Sequence, residues 1–222
     1  MRHAALFLSL VIATAVGAQP RGATAQQMER QGMVDVQTED STIQVSLMYA
    51  RADNFTGTVL YDDLRQAYLH PKAAAALAKA QRRLKELRPE LSLIVFDAAR
   101  PMSIQRKMYD KVKGTSKYFY VSNPANGGGL HNYGMAVDLS ICTAEGDTIT
   151  MGALVDNMND LSHIDNEEAL VKQGRLTSEA LANRRLLREV MKYAGFTPLR
   201  TEWWHFNLIS RATAKRYYKV IE

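Results

Sequence analysis

Four residues in two short segments have the types and spacing to hold a metal ion and use it. His131 and Asp138 lie seven positions apart in GGGLHNYGMAVDLS, and Glu202 and His205 lie three apart in EWWHF. Imidazole nitrogens and carboxylate oxygens both bind zinc, and a site with three protein ligands keeps a fourth position for water. A further carboxylate could then take a proton from that water. The two segments together therefore indicate a zinc site with its own general base.

Each segment alone has a plainer interpretation. His131 and Asp138 by themselves are also typical of a loop histidine followed by a strand-end aspartate, and EWWHF supplies what that pair lacks. Residues three apart in a regular strand face opposite sides, so Glu202 and His205 converge only if the strand is bulged or one of them lies beyond its end. The turn at Gly134 supplies the matching irregularity between His131 and Asp138.

The elements that must position these residues follow from apolar periodicity. Helices are predicted over 72–87, over 103–112, over a short stretch between Asp165 and Gly174, and from Thr177 or Ser178 to about Gly195. Strands are predicted over 42–49, 91–97, 136–142 and 201–208. Helices and strands mix without regular alternation, which predicts an α+β fold with a mainly antiparallel sheet flanked by helices.

The amino-terminal region predicts export. Residues 4–16 form an uncharged apolar run after Arg2, and small residues follow at 16–18, as in a secretory signal peptide. We therefore expect a signal peptide over 1–18, a flexible leader over 19–35 and one domain over 36–222, located in a periplasm or secreted. The apolar run is too short to span a bilayer comfortably, so stable membrane insertion is not expected.

Charge and cysteine content narrow the classes of partner. The net charge is +5, and the basic residues are scattered among acidic ones, so no nucleic-acid partner is expected. Cys142 is the only cysteine and lies in the apolar run VDLSIC, which indicates a buried small side chain and excludes an intramolecular disulfide. Nothing in the sequence indicates an oligomeric state.

Two motifs resemble those of the zinc D,D-peptidases. Residues 131–138 match H-x-x-G-x-A-x-D, and residues 202–205 match E-x-W-H. Five segments occur in the order seen in D-Ala-D-Ala dipeptidases of the vancomycin-resistance type: YARADNFTG, FDAARP, LHNYGMAVDLS, MGALVDNM and EWWHF. This resemblance extends from about Val36 to Leu208. It implies a hedgehog/D,D-peptidase-like fold with one zinc ion per chain.

The resemblance also implies roles for individual residues. The implied zinc ligands are His131, Asp138 and His205, with Glu202 as the catalytic base. Arg100, in FDAARP, matches an arginine that polarises the scissile carbonyl and stabilises the oxyanion. Asp156, in MGALVDNM, matches a carboxylate offered to the free amino group of the substrate; its plainer interpretation is an exposed loop acid. Gly129 stands where the family commonly has a serine, so substrate binding at this position would fall to backbone N–H groups or substrate preference would differ.

The activity implied is hydrolysis of the dipeptide D-alanyl-D-alanine to two D-alanines, in turnover of peptidoglycan-derived dipeptide. A D,D-carboxypeptidase or other peptidoglycan peptidase on the same scaffold is an alternative, for which an open groove would argue. A zinc-stabilised binding module without catalysis is another. Glu202 and Arg100 argue against that module, because a purely structural site needs no base.

Overall fold

A computed structural model describes residues 21–222 of the protein. Its α-helices are α1 (Ala23–Arg30), α2 (Val36–Glu39), α3 (Pro71–Leu87), α4 (Met102–Val112), α5 (Glu167–Lys172), α6 (Ser178–Tyr193) and α7 (Arg211–Tyr217). Its strands are β1 (Val34–Asp35), β2 (Gln44–Val45), β3 (Tyr68–Leu69), β4 (Ser92–Asp97), β5 (Ala136–Cys142), β6 (Thr197–Leu199) and β7 (Glu202–Asn207). Within residues 21–222, no helix is long and apolar enough to cross a bilayer.

A five-stranded sheet forms the scaffold of the molecule. Its strand order is β2-β4-β5-β7-β6, and only the β2–β4 pair is parallel. Strands β1 and β3 form a separate antiparallel pair. Helices α3 and α6 contact each other, α3 also contacts β4, and α6 also contacts β5 and β6. The predicted α+β class with a mainly antiparallel sheet flanked by helices is confirmed.

Strand β5, at the centre of the sheet, has one face in the hydrophobic core and carries Asp138 on its other face. Val137, Leu139 and Ile141 are fully buried in the main hydrophobic cluster. Successive side chains of a strand point to opposite faces, so Asp138 and Ser140 lie on the other face of β5. Cys142 ends the strand without measurable exposure, as its apolar surroundings predict.

The long periodic segments have the predicted structure. Helices over 71–87, 102–112 and 178–193, a short helix over 167–172, and strands over 92–97, 136–142 and 202–207 match the predictions within about two residues at most boundaries. Thr177 caps α6, because its side-chain oxygen accepts a hydrogen bond from the N–H of Ala180 at 3.1 Å. The predicted strand over 42–49 is much shorter, with β2 at 44–45 and a 3₁₀ turn at Met48–Ala50.

Residues 21–35 contain a packed helix, whereas the sequence predicts a flexible leader over 19–35. Helix α1 occupies residues 23–30, and its Ala25 and Met28 are buried in the main hydrophobic cluster. The helix carries only these two apolar anchors, three residues apart, which is too weak a periodicity to stand out in a polar segment. The predicted signal peptide, 1–18, lies outside the described residues.

Candidate active site

Three potential metal ligands meet at the centre of the sheet. Asp138 on β5 pairs directly with His205 on β7, so both side chains lie on the same face. His131 arrives from a 3₁₀ turn, Leu130–Tyr133, which ends at Gly134 with a φ of 64°. The ligand atoms of these three residues all lie within 4.8 Å of one another, and the residues are at most 9% exposed. The sequence prediction of a His, Asp, His cluster therefore agrees with the geometry.

Hydrogen bonds behind the cluster orient both imidazoles. Nδ1 of His131 lies 2.7 Å from the carbonyl oxygen of Ala98, and Nε2 of His205 lies 2.9 Å from Oδ1 of Asn207. Because each of these oxygens accepts a hydrogen bond, the outer nitrogen of each ring carries the proton and the inner nitrogen presents a lone pair. Outer-shell hydrogen bonds of this kind accompany metal-binding histidines.

The inner atoms form a cluster of acceptors that fits a cation. Nε2 of His131 and Nδ1 of His205 face each other at 3.2 Å, and they lie 3.3 Å and 2.9 Å from the carboxylate oxygens of Asp138. Two ligands about 2.1 Å from one tetrahedral ion would lie about 3.4 Å apart. Burial opposes ionisation of Asp138, but the two histidines outweigh it and lower the pKa of its carboxyl group. The donor set and its spacing therefore fit a small divalent ion.

Glu202 lies beside this cluster because β7 is irregular. Phe206 pairs with Pro198 on β6, whereas the next residue of β6, Leu199, pairs with Glu202, so the register shifts between them. The irregularity required for convergence is present, and Oε2 of Glu202 lies 3.9 Å from Nδ1 of His205. Burial raises the pKa of the Glu202 carboxyl group to about 8, and His205 acts in the opposite direction.

Arg100 is held rigidly next to the cluster by residues for which the sequence predicted no role. Its Nε and Nη2 donate to Oδ2 of Asp97 at 3.0 and 2.5 Å, and its Nη1 donates to Oε1 of Gln105 at 2.9 Å. Tyr61 donates to the other oxygen of Asp97 at 2.6 Å. The guanidinium also lies 5.4 Å from the centre of the Tyr49 ring. The sequence feature that could have indicated a role for Asp97 is its position at the end of the apolar run LSLIVFD.

Asp156 is an acid of the cavity wall rather than an exposed loop residue. It is the one non-glycine residue with positive φ in the described part of the chain, at 63°. The hydroxyl of Tyr49 donates to its Oδ2 at 2.7 Å. Burial, together with the negative charge of Asp138, raises the pKa of Asp156 to about 7.

A buried arginine on α6 holds the loop that carries Asp156. Arg184 is 1% exposed, and it donates from Nε to the carbonyl of Met151 at 2.7 Å and from Nη2 to the carbonyl of Leu161 at 2.9 Å. Its Nη1 bonds Glu167 at 3.3 Å. One side chain therefore fixes both ends of the segment between residues 151 and 161.

Gly129 lies in the wall of the same cavity, but its backbone N–H already has a partner. That group donates to Oδ1 of Asn132 at 2.9 Å. A Cβ atom at position 129 would lie 2.8 Å from the hydroxyl oxygen of Ser122. The side chain of Ser122 therefore fills the space that a larger residue at 129 would need.

One cavity of about 330 Å³ brings all the predicted site residues together. The predicted residues that line it are Arg100, Gly129, His131, Asp138, Asp156, Glu202 and His205. Tyr49, Gln105 and Asn207 line it as well, although the sequence predicted no role for them. A larger cavity of about 570 Å³ is lined by Ser140 and Trp203 among others and contains none of the predicted residues.

The sequence of the chain is similar to those of known peptidases. Residues 29–222 match the family described as Peptidase_M15, D-ala-D-ala dipeptidase. A D-alanyl-D-alanine dipeptidase of Escherichia coli is 32% identical over 181 residues, covering 82% of this chain and 86% of that protein. Proteins of the same name are 27% identical in Enterococcus faecalis, over 77% of this chain and 88% of theirs, and 29% identical in Streptomyces coelicolor, over 80% and 92%.

Proposed function

The chain belongs to the peptidase M15 family of D-Ala-D-Ala dipeptidases, and from that premise we propose that it hydrolyses D-alanyl-D-alanine to two D-alanines. The observation that carries the proposal is a single small cavity in which the three-residue ligand cluster meets Glu202 and Asp156. Its volume of about 330 Å³ is near the lower end for small-molecule sites. This size supports a dipeptide substrate over a longer peptide.

Zinc is the ion that suits the cluster. Nε2 of His131, Nδ1 of His205 and the carboxylate of Asp138 would hold one ion per chain, since two imidazoles and one carboxylate make a three-ligand site of the hydrolytic type. When bound, the ion supplies Lewis acidity, which polarises a carbonyl group and lowers the pKa of water. The hydrogen bonds from the outer ring nitrogens to Ala98 and Asn207 keep both imidazoles in the required orientation.

Glu202 is the general base in this proposal. Its carboxylate takes a proton from the attacking water and returns it to the nitrogen of the leaving D-alanine. Burial, with the opposing effect of His205, gives this carboxyl group a pKa of about 8, which would keep it protonated at pH 7. A positive charge beside His205 would favour the ionised form, so the base would become active when the site is loaded.

Arg100 stabilises negative charge on the oxygen of the scissile carbonyl. A guanidinium group has five N–H donors, and three are used by Asp97 and Gln105. The remaining donors and the permanent positive charge are available to the cavity, which Arg100 lines. Because its neighbours already fix the guanidinium, little reorganisation would be needed as the charge develops.

Asp156 binds the free amino group of the substrate. Tyr49 occupies one of its carboxylate oxygens and leaves the other for an ammonium group. A buried carboxylate stabilises a cation that enters the cavity and is left unpaired by an acylated nitrogen. This difference would make the enzyme a dipeptidase rather than a carboxypeptidase.

We further propose that the protein is exported and acts on dipeptide released from the cell wall. Support comes from the apolar run at residues 4–16 and the small residues at 16–18. Resistance to a wall-directed antibiotic is a less natural role, because that task requires destruction of a cytoplasmic precursor. Fractionation of the source cells, with mass spectrometry of the amino terminus, tests this proposal directly; a cytoplasmic protein that starts at residue 1 would contradict it.

The activity is tested by measuring D-alanine released from D-alanyl-D-alanine, with zinc and with chelator. Glu202→Gln should lower kcat by about 10²–10⁴-fold, because it removes the proton acceptor and keeps the shape. Metal content by elemental analysis should stay at one zinc per chain, and the exposed Glu179→Gln should behave as wild type. Unchanged release of D-alanine by the Glu202→Gln variant would disprove the role of Glu202 as the general base. Zinc binding by the wild type without any release would instead favour the binding module.

The substrate class is tested with N-acetyl-D-alanyl-D-alanine. Wild type should prefer the free dipeptide in kcat/KM by about 100-fold, since an acylated nitrogen leaves the carboxylate of Asp156 without a partner. Asp156→Asn should reduce this preference mainly through a higher KM for the free dipeptide. Equal cleavage of both compounds by the wild type would favour a carboxypeptidase.

A further inference from the structure

The hydroxyl group of Ser122 faces the active-site cavity beside Gly129. Ser122 lines the cavity and is partly buried. Its hydroxyl makes no hydrogen bond to any other residue in the described range 21–222, so it is available to a ligand. A Cβ atom at Gly129 would lie 2.8 Å from the Ser122 hydroxyl oxygen and 3.2 Å from its Cβ. The absence of a side chain at 129 is therefore what lets this hydroxyl occupy its place.

Backbone donors of the neighbouring glycine-rich loop are already engaged. The N–H groups of Gly127 and Gly128 close turns within the loop, at 3.0 and 3.3 Å from their acceptors. Gly129 donates to the side chain of Asn132. A substrate oxygen at this wall would therefore meet the Ser122 hydroxyl rather than the N–H groups of these three glycines.

One residue, Gln105, holds both the backbone of Ser122 and the side chain of Arg100 by hydrogen bonds. Gln105 donates from Nε2 to the carbonyl of Ser122 at 2.7 Å, and its Oε1 accepts from Arg100 at 2.9 Å. Gln105 is 1% exposed, so this bridge is shielded from solvent. On the same wall Arg211 lines the cavity and donates to the carbonyl of Asn126 at 3.0 Å, which adds positive charge there.

A dipeptide presents a cation at one end and a carboxylate at the other. Asp156 provides the acidic partner for the ammonium group, and a carboxylate accepts hydrogen bonds only. We propose that the Ser122 hydroxyl donates to the carboxylate of the substrate, and that Gly129 is needed to leave room for it. This inference rests on the proposed function and deepens it by naming a residue that determines specificity for a free carboxyl terminus.

The test compares four variants of the full chain on D-alanyl-D-alanine and on its carboxyl-terminal amide. Ser122→Ala should raise KM for the dipeptide about tenfold and for the amide about twofold, since a hydrogen bond to a charged acceptor is the stronger one. The value of kcat should change little, because the bond forms in the ground state and persists. The exposed Ser116→Ala, in the loop before Ser122, should leave both constants unchanged.

The exchange of side chains supplies the second arm of the test. Gly129→Ser alone should raise KM for the dipeptide, because its Cβ collides with the Ser122 side chain. The double variant Ser122→Gly with Gly129→Ser should recover KM to within about threefold of wild type, because one hydroxyl again faces the space between the two positions.

Three results would overturn the inference. The first is an unchanged KM in Ser122→Ala while the wild type cleaves the dipeptide, and the second is an equal loss for dipeptide and amide. The third is a double variant no better than Gly129→Ser. A wild type that cleaves neither compound would refute the proposed function, and this inference with it.

Discussion

The carboxyl group of Asp156 is held in surroundings that oppose its charge. It is half-buried, the negative Asp138 lies in the same cavity, and Tyr49 gives it one hydrogen bond. Its φ of 63° costs a non-glycine residue about 1–2 kcal/mol. A side chain that is both strained and electrostatically disfavoured is characteristic of a functional position, where binding of a ligand compensates for the cost.

This electrostatic cost predicts how pH changes stability. Without metal, the pKa of Asp156 is about 7 in the folded protein, whereas the ordinary value of 3.8 applies to the unfolded chain. The folded state therefore binds this proton more tightly, and the free energy of unfolding should fall as pH rises from about 4 to 7. Each unit of pKa shift corresponds to about 1.4 kcal/mol, so the loss should reach a few kcal/mol.

Urea unfolding in the presence of chelator, between pH 4.5 and 8, would measure this effect. The stability of Asp156→Asn relative to wild type should increase with pH across this interval, since the amide does not ionise. The exposed Asp147→Asn serves as the control and should show no such trend. Parallel pH profiles for wild type and Asp156→Asn would contradict the prediction.

Among the helices and strands, the regular segments were predictable from the sequence and their irregular ends were not. Strand β5 was predicted at its observed bounds because AVDLSIC, residues 136–142, is a mainly apolar run between turn residues. The alternating sequence over 42–49 could not reveal that pairing stops after Val45, because pairing depends on the neighbouring β4. The irregularity of β7 was predicted from the spacing of Glu202 and His205, since two residues three apart in a regular strand could not converge.

The turn at Gly134 joins the proposed ligand His131 to strand β5, and it tolerates no side chain. Its φ is 64°, and a Cβ there would lie 2.7 Å from the backbone nitrogen of His70. Gly174 has a similar φ of 69° but open space around it. Alanine at 174 should therefore cost about 1–2 kcal/mol for its backbone, whereas alanine at 134 should cost about 2 kcal/mol more for the collision.

Denaturant unfolding of the two variants in chelator would separate the two contributions. Gly134→Ala should also bind zinc more weakly, because the turn sets the position of His131, whereas Gly174→Ala should bind it normally. Equal destabilisation by the two substitutions would show that the backbone at His70 moves away from the new Cβ without lowering the free energy of unfolding.

At the scale of the whole molecule, the site joins side chains from distant parts of the chain. Motif spacing and family resemblance predicted the three candidate ligands and Glu202 because these residues lie in two short motifs. Their supporting partners were missed, because such contacts leave no local pattern: Tyr49 and Asp156 are 107 positions apart. Asp97 was hidden differently, since a strand-end aspartate is a common residue until its arginine partner is seen.

The cluster of inward-facing acceptors predicts that zinc stabilises the whole fold. Zinc at about 1,000 times its dissociation constant should add about 4 kcal/mol to the free energy of unfolding. For a chain of this size that raises Tm by about 8–16 °C. His205→Asn should lose this rise, whereas His163→Asn, outside the cluster, should keep it. Thermal melting of each variant with and without chelator measures this rise. An equal rise in Tm for both variants would show that the stabilising zinc binds elsewhere.

Arg184 has a further consequence for how this enzyme could change its preference. Its guanidinium holds the carbonyls of Met151 and Leu161, and the residues between them include Asp156. Connecting segments tolerate changes of length when their ends stay fixed on a rigid scaffold. Insertions or deletions between 152 and 160 would therefore alter the side of the cavity proposed to bind the amino group of the substrate, while the sheet and the candidate ligands stay in register. Evolution or directed selection could thus explore longer peptides at this loop without rebuilding the catalytic centre.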